Sequence, residues 1–458
     1  MSTLHVNLDL VRKYNVPGPR YTSYPPATQF SENVDLDSLC GRISDNAACE
    51  RDLSLYFHLP FCQTLCWYCG CTTVITTDPK AGGKYIHYLE KEMALVARDL
   101  NPNRQVAQLH FGGGTPTFLT PDELRRLGGI IKKQFTFSPN IEAGVEIDPR
   151  RLSRQHIEAL AEIGFNRASI GVQDHNPIVQ KAVHRIQPFA QTKMTIDWLR
   201  ESGFKSVNID LIYGLPLQTP ETFQTTLDEV LRLQPDRFAI FSYAHVPWIK
   251  PSQKILEDKV LPTPESKLAM LKRTIETLTS EGYVYIGMDH FARENDELAI
   301  AQREKKLQRN FQGYSTCGDT DIFAFGMSSF SQANDVYWQN LKDLPAYYAA
   351  IDSGNLPLAK GYLLTGEDKI RRQTIMRLMC DLQLDYAEMS SRLNISFAEH
   401  FAVEIAALDE MEADGLVLKT PTGLMVTEVG RLFIRNIAMR FDAYLPKNIG
   451  ERRFSKTI

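Results

Sequence analysis

At 458 residues, 43% of them hydrophobic and 23% charged, the chain is long enough for two or three domains with a large buried core. A formal net charge of −4 lacks the basic footprint of a dedicated nucleic-acid binder. No run approaches the roughly 18 apolar residues a membrane-spanning helix needs, and the opening MSTLHVNLDLVRKYN has charges inside its apolar stretch and no cleavage-site pattern, so the expectation is a cytoplasmic protein without a membrane span.

Residues 1–50 form a lead-in with no clean repeat. Within it Pro17, Pro19, Pro25 and Pro26 forbid a helix and favour an extended arm. The arm carries Arg20, Tyr21 and Tyr24 rather than the Gly/Ser of a flexible linker.

From residue 53 short apolar runs alternate with amphipathic stretches. LSLYFHL from Leu53 is followed at once by Cys62-Gln63-Thr64-Leu65-Cys66-Trp67-Tyr68-Cys69-Gly70-Cys71. Eight cysteines occur in the chain and four of them fall here, a knot unlike the spread of a disulfide framework. The C-x3-C-x2-C spacing offers three thiolates, one fewer than a cubane [4Fe–4S] cluster normally takes, which leaves one iron open for a small molecule. A zinc knuckle with Cys71 as fourth ligand is the other reading of the same knot.

Further strands are expected at VAQLHFG from Val106, EAGVEID from Glu142, RASIGV from Arg167, SVNIDLIYG from Ser206, RFAIFSY from Arg237 and YVYIGMDHF from Tyr283. Helices are expected near Lys84–Leu100, Pro121–Gln134, Ser153–Ile163, Phe189–Glu201, Pro220–Leu233 and Pro264–Glu281. Thr120-Pro121, Thr219-Pro220 and Thr263-Pro264 supply a capping residue and a first-turn proline, and Gly164, Gly203 and Gly282 supply stops. Strand–helix alternation with buried strands means an α/β fold with a parallel sheet. Polar residues gather at the strand ends (Glu146, Gln173, Asp210, His245, Asp289), which favours a partial barrel over an open doubly wound sheet.

From about residue 350 the pattern turns helical, at Asp368–Cys380, Asp385–Arg392 and Ser396–Asp414. A hairpin then folds around Pro421-Thr422-Gly423, and a last helix lies near Glu428–Arg440, a winged-helix-like arrangement read as a packing module rather than a nucleic-acid binder. The expected organisation is a lead-in at 1–50, a catalytic region at 51–348 and a mainly helical region at 349–458.

The three-thiol spacing with an aromatic residue before its last cysteine, one strand ahead of Phe111-Gly112-Gly113-Gly114-Thr115-Pro116-Thr117, resembles the radical S-adenosylmethionine superfamily. GPRYTSYPPA, YFHLPFCQTLCWYCGC, LHFGGGTPT, VEIDPR, GVQD, NIDLIYGLP, YAHVPW, GMDHFAR, NFQGYSTCGDTD and RNIAMRFDAYL extend the likeness over essentially the full length to the oxygen-independent coproporphyrinogen III oxidases. That resemblance implies a partial (β/α) barrel of the radical S-adenosylmethionine type with an extended N-terminal arm and a mainly helical C-terminal domain. It implies a [4Fe–4S] cluster on Cys62, Cys66 and Cys69, with S-adenosylmethionine, two molecules of it, as cofactor.

The reaction implied is oxidative decarboxylation of two propionates of coproporphyrinogen III to vinyl groups. A 5′-deoxyadenosyl radical takes hydrogen from the propionate carbon next to the ring, and the substrate radical then loses an electron and carbon dioxide. The resemblance gives Cys71, Glu146 and Arg185 catalytic roles. It gives S-adenosylmethionine contacts to Tyr56, Tyr68, Gly113, Gly114, Thr115, Glu146, Gln173, Arg185, Asp210, Ala244 and Phe330. Arg20, Arg293 and Arg309 are candidates for substrate carboxylates, with Tyr21 and Tyr24 lying against the pyrroles. An electron donor such as flavodoxin or ferredoxin, a monomeric state and no nucleic-acid partner are further expectations. The chain departs from the family at Pro26, Asn295 and Phe330. A haem-binding chaperone relative on the same scaffold is the alternative.

Overall fold

The computed structural model describes residues 4–44, 49–257, 259–333, 335–445 and 456–457, so the outer edges of the 1–50 and 349–458 segments lie outside the described residues. Two compact units interleave along the chain. The larger comprises Phe30–Lys267 and Asp319–Leu363; the smaller comprises Met1–Gln29, Leu268–Gly318 and Leu364–Ile458.

The larger unit is organised by one sheet. Its strands are β1 (Leu53–Leu59), β2 (Gln105–Gly113), β3 (Thr136–Ile147), β4 (Arg167–Gln173), β5 (Ser206–Tyr213), β6 (Arg237–Ser242), β7 (Asp321–Phe325), β8 (Phe330–Ala333), β9 (Val336–Asn340) and β10 (Leu358–Leu363). Their order is β10-β9-β8-β7-β1-β2-β3-β4-β5-β6. From β7 to β6 every pairing is parallel, and β7 to β10 pair antiparallel. The parallel array is a partial barrel, as the alternation implies. The strands β7 to β10 are an addition that the sequence reading did not contain.

Helices α1 (Ala81–Ala97), α2 (Pro121–Gln134), α3 (Arg154–Ile163), α4 (Phe189–Glu201) and α5 (Pro220–Leu231) connect the parallel strands. Local chemistry fixes their starts. Thr120 and Glu123 make a reciprocal capping box with Pro121 in the first turn, and Thr219 with Thr222 does the same for α5. Gly164, at φ 114°, closes α3 in the left-handed region. The buried face of α2 is Leu124, Leu127, Gly128 and Ile131, a 3–4 residue repeat that turns one stripe toward the core.

The start of β7 is clamped to β1 by a buried ion triplet. Asp321 receives Arg104 Nη2 at 2.6 Å and Arg51 Nη2 at 2.7 Å, with the Arg104 side chain fully buried. Asp321→Ala would leave a buried guanidinium without its counter-charge, and we expect a loss of about 3–5 kcal/mol in chemical denaturation. Asp321→Asn should recover only part of that loss, because the hydrogen-bond acceptor returns without the charge.

The smaller unit holds the arm, most of the helix Pro264–Ser280, and the C-terminal helices. Tyr21 and Tyr24 are not available to a ligand from an open arm: both are buried, with Tyr21 donating to Asp442 at 2.8 Å and Tyr24 accepting from the Ala443 amide at 2.9 Å. Arg435 donates to the carbonyls of Gly18, Pro19, Lys456 and Thr457 and so ties the arm down. Arg20 is ion-paired with Asp289, and buried Arg309 donates to the Arg20 carbonyl.

YVYIGMDHF, expected as one strand, is instead an antiparallel hairpin of Tyr283–Gly287 and His290–Arg293. Met288 at φ 54°, whose carbonyl accepts from the Tyr285 hydroxyl at 2.6 Å, makes the turn. The helix expected over Ser396–Asp414 breaks into Phe397–His400, Ala402–Ala406 and Asp409–Ala413, with the fully buried Phe401 and Leu408 at the breaks. The hairpin around Pro421-Thr422 forms, and Gln383–Asp385 pairs alongside it as a third strand. No helix among the described residues is long and apolar enough to cross a membrane.

Candidate active site

The register of the larger sheet brings polar residues of five strands onto one face. Tyr56 lies opposite His110, His110 opposite Gly144, Glu146 opposite Ser169, Ser169 opposite Asn208, and Gly171 opposite Asp210. Side chains alternate along a strand, so residues two apart share a face. In β4, Arg167, Ser169, Gly171 and Gln173 are half-buried, while Ala168, Ile170 and Val172 between them are core.

At the C-terminal end of β1 the cysteine loop is held on three sides. Thr76 donates its amide to the Cys62 carbonyl at 3.0 Å, and Trp67 donates to Val183 at 3.1 Å and stacks on His184 with centroids 5.0 Å apart. Gln253 Nε2 donates to the Tyr68 carbonyl at 3.0 Å. Each sulfur of the trio then meets a hydrogen-bond partner. Thr115 Oγ1 lies 3.3 Å from Cys62 Sγ, Arg150 Nη2 and Arg185 Nη1 donate to Cys66 Sγ at 3.2 and 3.6 Å, and the Cys71 amide donates to Cys69 Sγ at 3.4 Å. A side-chain hydrogen bond from the Cys71 thiol is the main cause that draws the Cys69 thiol down to about 6, with the Cys71 amide adding, and the same thiol–thiol contact pushes Cys71 up.

Burial pushes the Cys62 thiol up to about 11 against the Thr115 hydrogen bond, and the hydrogen-bond partners around the three sulfurs suit an iron–sulfur cluster on Cys62, Cys66 and Cys69.

Arg185 has more partners than a free clamp would have. Its Nη1 donates to Asp148 at 3.0 Å and its Nη2 to the Gly171 carbonyl at 2.6 Å. Asp148 is also held by Arg150 at 2.6 Å; against the cost of burial, Arg185 and then Arg150 keep this carboxyl at about 2. The Nε of Arg185 and the Oε1 of Gln173 are buried with no hydrogen-bond partner, polar atoms that a polar ligand would satisfy.

Two carboxylates on the inner face are driven apart. Glu146 would be raised by its surroundings, but His110 at 3.6 Å and the Gly113 amide at 3.0 Å hold it below its usual range. Asp210 accepts from Ser169 Oγ at 2.8 Å and Asn208 Nδ2 at 2.7 Å, yet burial, with Glu146 adding, pushes it up to about 7. Such divergence is a mark of working carboxylates.

The glycines at the end of β2 serve the chain's own packing. Gly113, at φ 110°, leaves room for the His58 ring, which a Cβ would meet at 2.7 Å. Gly114 passes under the cysteine loop, its amide donating to Leu59 at 2.9 Å, and a Cβ there would lie 2.4 Å from the Pro60 carbonyl oxygen.

The structure therefore joins Cys62 to Thr115, Cys66 to Arg185, Cys69 to Cys71, and Glu146 to Gly113. Tyr56 sits with this group, stacked on His110 with centroids 5.8 Å apart, and half-buried Tyr68 feels the charge of Arg185. Gln173 ends β4 at φ 68°. Ala244 lies exposed in the loop after β6, and Phe330 starts β8, packed edge-on against Phe30 at 6.0 Å. Sequence reasoning gave no role to His58, His110 or Arg150, and marked Asp148 only as one of the polar residues at the end of its strand. The VEIDPR run contained the last two, but only the fold shows that Arg150 turns back onto a cysteine.

Comparison with known proteins agrees with this geometry. The Radical SAM superfamily profile matches residues 56–230, and that of the HemN C-terminal domain matches residues 364–433. The chain is 46% identical to the oxygen-independent coproporphyrinogen III oxidase of Synechocystis, over 100% of this chain and 99% of that protein. It is 45% identical to the enzyme of the same name from Escherichia coli K12, over 99% and 98%. The solved structure of the Escherichia coli coproporphyrinogen III oxidase HemN, described as a radical SAM enzyme, superposes with a TM-score of 0.92 at 43% identity, covering 97% of this chain and all of that one.

Proposed function

The chain belongs to the oxygen-independent coproporphyrinogen III oxidase family of the radical S-adenosylmethionine superfamily, and from that premise we infer its activity and the roles of its residues. It is an oxidoreductase that converts two propionate side chains of coproporphyrinogen III to vinyl groups with loss of carbon dioxide, giving protoporphyrinogen IX in porphyrin and haem biosynthesis. The single observation that carries the reading is the cysteine trio with a hydrogen-bond partner at each sulfur, under a polar inner sheet face. Identity of 46% over the whole chain favours the oxidase over the haem-binding relative.

Cys62, Cys66 and Cys69 would hold the [4Fe–4S] cluster. The cluster and S-adenosylmethionine together supply one-electron cleavage of a sulfonium and the carbon radical that takes hydrogen from the substrate. The protein's part is positioning and exclusion of water. Thr115, Arg150 and the Cys71 amide orient the three sulfurs. Tyr56, Tyr68, Gly113, Gly114, Thr115, Glu146, Gln173, Arg185 and Asp210 form the proposed S-adenosylmethionine contacts. The unpartnered Gln173 Oε1 and Arg185 Nε support that assignment.

Glu146, ionised beside His110, is suited to accept from an ammonium or ribose hydroxyl. Ala244 and Phe330 are assigned to a second molecule. Cys71, exposed beside the trio, is assigned to placing substrate or that second molecule. Residues 51–348 are the proposed catalytic region, between the 1–50 lead-in and the 349–458 helical region. A flavodoxin or ferredoxin is the proposed electron donor, and a cytoplasmic monomer the proposed state.

Anaerobic reconstitution tests the whole reading. With ferrous iron and sulfide the protein should take up about four of each per chain. With reductant, S-adenosylmethionine and coproporphyrinogen III it should yield the divinyl product by chromatography and release two carbon dioxide per turnover. Stoichiometric zinc with no vinyl product would overturn it.

A further inference from the structure

We propose that Arg20 and Arg309 form a carboxylate-binding site in the smaller unit that takes a propionate of the porphyrinogen substrate; this rests on the function inferred above. The site is built from three segments of that unit, far apart in sequence: GPRY in the arm, GMDHF from Gly287 and NFQGYSTC from Asn310 with the arginine before it. Gln308–Asn310 and Gly313–Ser315 pair antiparallel, which puts Arg309 opposite Tyr314, and the guanidinium lies over that ring, 4.7 Å from its centroid. Tyr314 also meets His290 edge-on, with centroids 5.5 Å apart. It presses on the turn that carries Asp289: at Gly287 a Cβ would lie 2.5 Å from the Tyr314 hydroxyl. The arm completes the group. Arg309 donates through Nε and Nη2 to the Arg20 carbonyl at 3.3 and 3.1 Å, and the Arg20 side chain pairs with Asp289. Arg435 holds the same stretch through the Gly18 and Pro19 carbonyls. Arg293, the other arginine singled out in the sequence, lies over the Tyr283 ring, 4.9 Å from its centroid.

Two observations point to an anion. More than nine-tenths of Arg309 is buried, and its Nη1 has no hydrogen-bond partner among the described residues. A buried guanidinium N–H in that state costs stability until an acceptor reaches it. The charges, secondly, are lopsided. Asp289 is the carboxylate set against Arg20, Arg309 and Arg435 together. Burial, with the charge of Arg20 adding, holds both Arg309 and Arg435 below the ordinary arginine range. Arg20 and Asp289 keep 40% and 18% of their side chains exposed, so the group opens to solvent at that edge.

The matching ligand is a carboxylate, whose two oxygens accept from guanidinium N–H groups in parallel. Coproporphyrinogen III carries four, and the two propionates that survive the reaction need partners as much as the two that react. The carboxylate of S-adenosylmethionine has its own candidate, Arg185, in the larger unit. The competing account is that these arginines only staple the arm to the rest of the unit, and the test separates the two.

The test uses the reconstituted holoenzyme with Arg20→Gln, Arg309→Gln, Arg309→Lys and Asp289→Asn. Affinity for coproporphyrin III, a tetracarboxylate that does not turn over, is read by fluorescence, beside iron content and the midpoint of urea denaturation. Arg20→Gln and Arg309→Gln should each bind about tenfold more weakly or worse, and Arg309→Lys, which keeps the charge, should lose less. Asp289→Asn removes the internal carboxylate that competes for Arg20, so it should bind about threefold more tightly while unfolding at lower urea. A staple predicts lower midpoints with unchanged affinity in every folded variant, and that result overturns the site. Weaker binding by Asp289→Asn, matching Arg20→Gln, overturns it as well, because the pair would then only shape the arm. Should Arg309→Gln fail to fold, Arg20→Gln and Asp289→Asn decide between the accounts. Failure of the parent protein to bind coproporphyrin or form vinyl product counts against the inferred function; normal parent behaviour with indifferent variants counts against the site alone.

Discussion

Cys66→Ala should abolish the iron–sulfur chromophore and reduce vinyl product to background, whereas Cys71→Ala should keep about four iron per chain and still lose turnover. The contrast follows from what surrounds each sulfur. Cys66 is buried and receives two guanidinium N–H groups, one from Arg150 at 3.2 Å and one from Arg185 at 3.6 Å. Without its sulfur those charges face an empty corner, with Asp148 as their remaining carboxylate. Cys71 contributes a backbone amide to Cys69, which alanine retains, and a thiol contact to the same sulfur, which alanine removes without touching the three ligand thiols. Iron and sulfide analysis with electron paramagnetic resonance of the reduced protein checks both halves. Equal loss of iron in the two variants would mean that Cys71 is itself a ligand.

Gly114→Ala has nearly as large an expected effect. The new Cβ would lie 2.4 Å from the Pro60 carbonyl oxygen, 2.6 Å from its carbon and 2.9 Å from the Phe61 carbonyl oxygen. All three are backbone atoms, so no side chain can swing away. Overpacking of this kind costs about 1–3 kcal/mol. Here the cost is spent displacing the turn that leads into Cys62, because the Gly114 and Thr115 amides pin Leu59 and Phe61 at 2.9 Å each. We expect a folded protein by circular dichroism that takes up less than half the parent's iron and binds S-adenosylmethionine at least about tenfold more weakly. Full iron uptake with parental affinity would refute the account. Gly129→Ala, where a Cβ meets nothing within 4 Å, is the matched control.

Much of this architecture was legible wherever local chemistry decides structure. Thr120 and Thr219 announce their helices through caps, Gly164 announces a stop, and β1 was read to the residue as Leu53–Leu59. The cysteine trio was legible because its spacing is itself the chemistry. What the sequence hid is what long-range contacts decide. Strands β7 to β10 are four to six residues long and pair antiparallel at one end of the sheet, so no periodic run marks them. Tyr21 and Tyr24 looked like a binding surface, and only packing with Asp442 and Ala443 shows them as core. Arg150 was one basic residue among many until the turn after β3 aimed it at Cys66. The divided behaviour of Glu146 and Asp210 likewise depends on neighbours from other strands, His110, Ser169 and Asn208.

The pairing of β1 with both β2 and β7 has a consequence for biosynthesis. The loop that collects iron and the glycine strand beneath it lie before about residue 120, but the strand that covers the other edge of β1 begins about 200 residues later, at Asp321. At roughly 5–20 residues per second, translation leaves that edge bare for some tens of seconds. A nascent chain thus presents its thiols before its scaffold is closed.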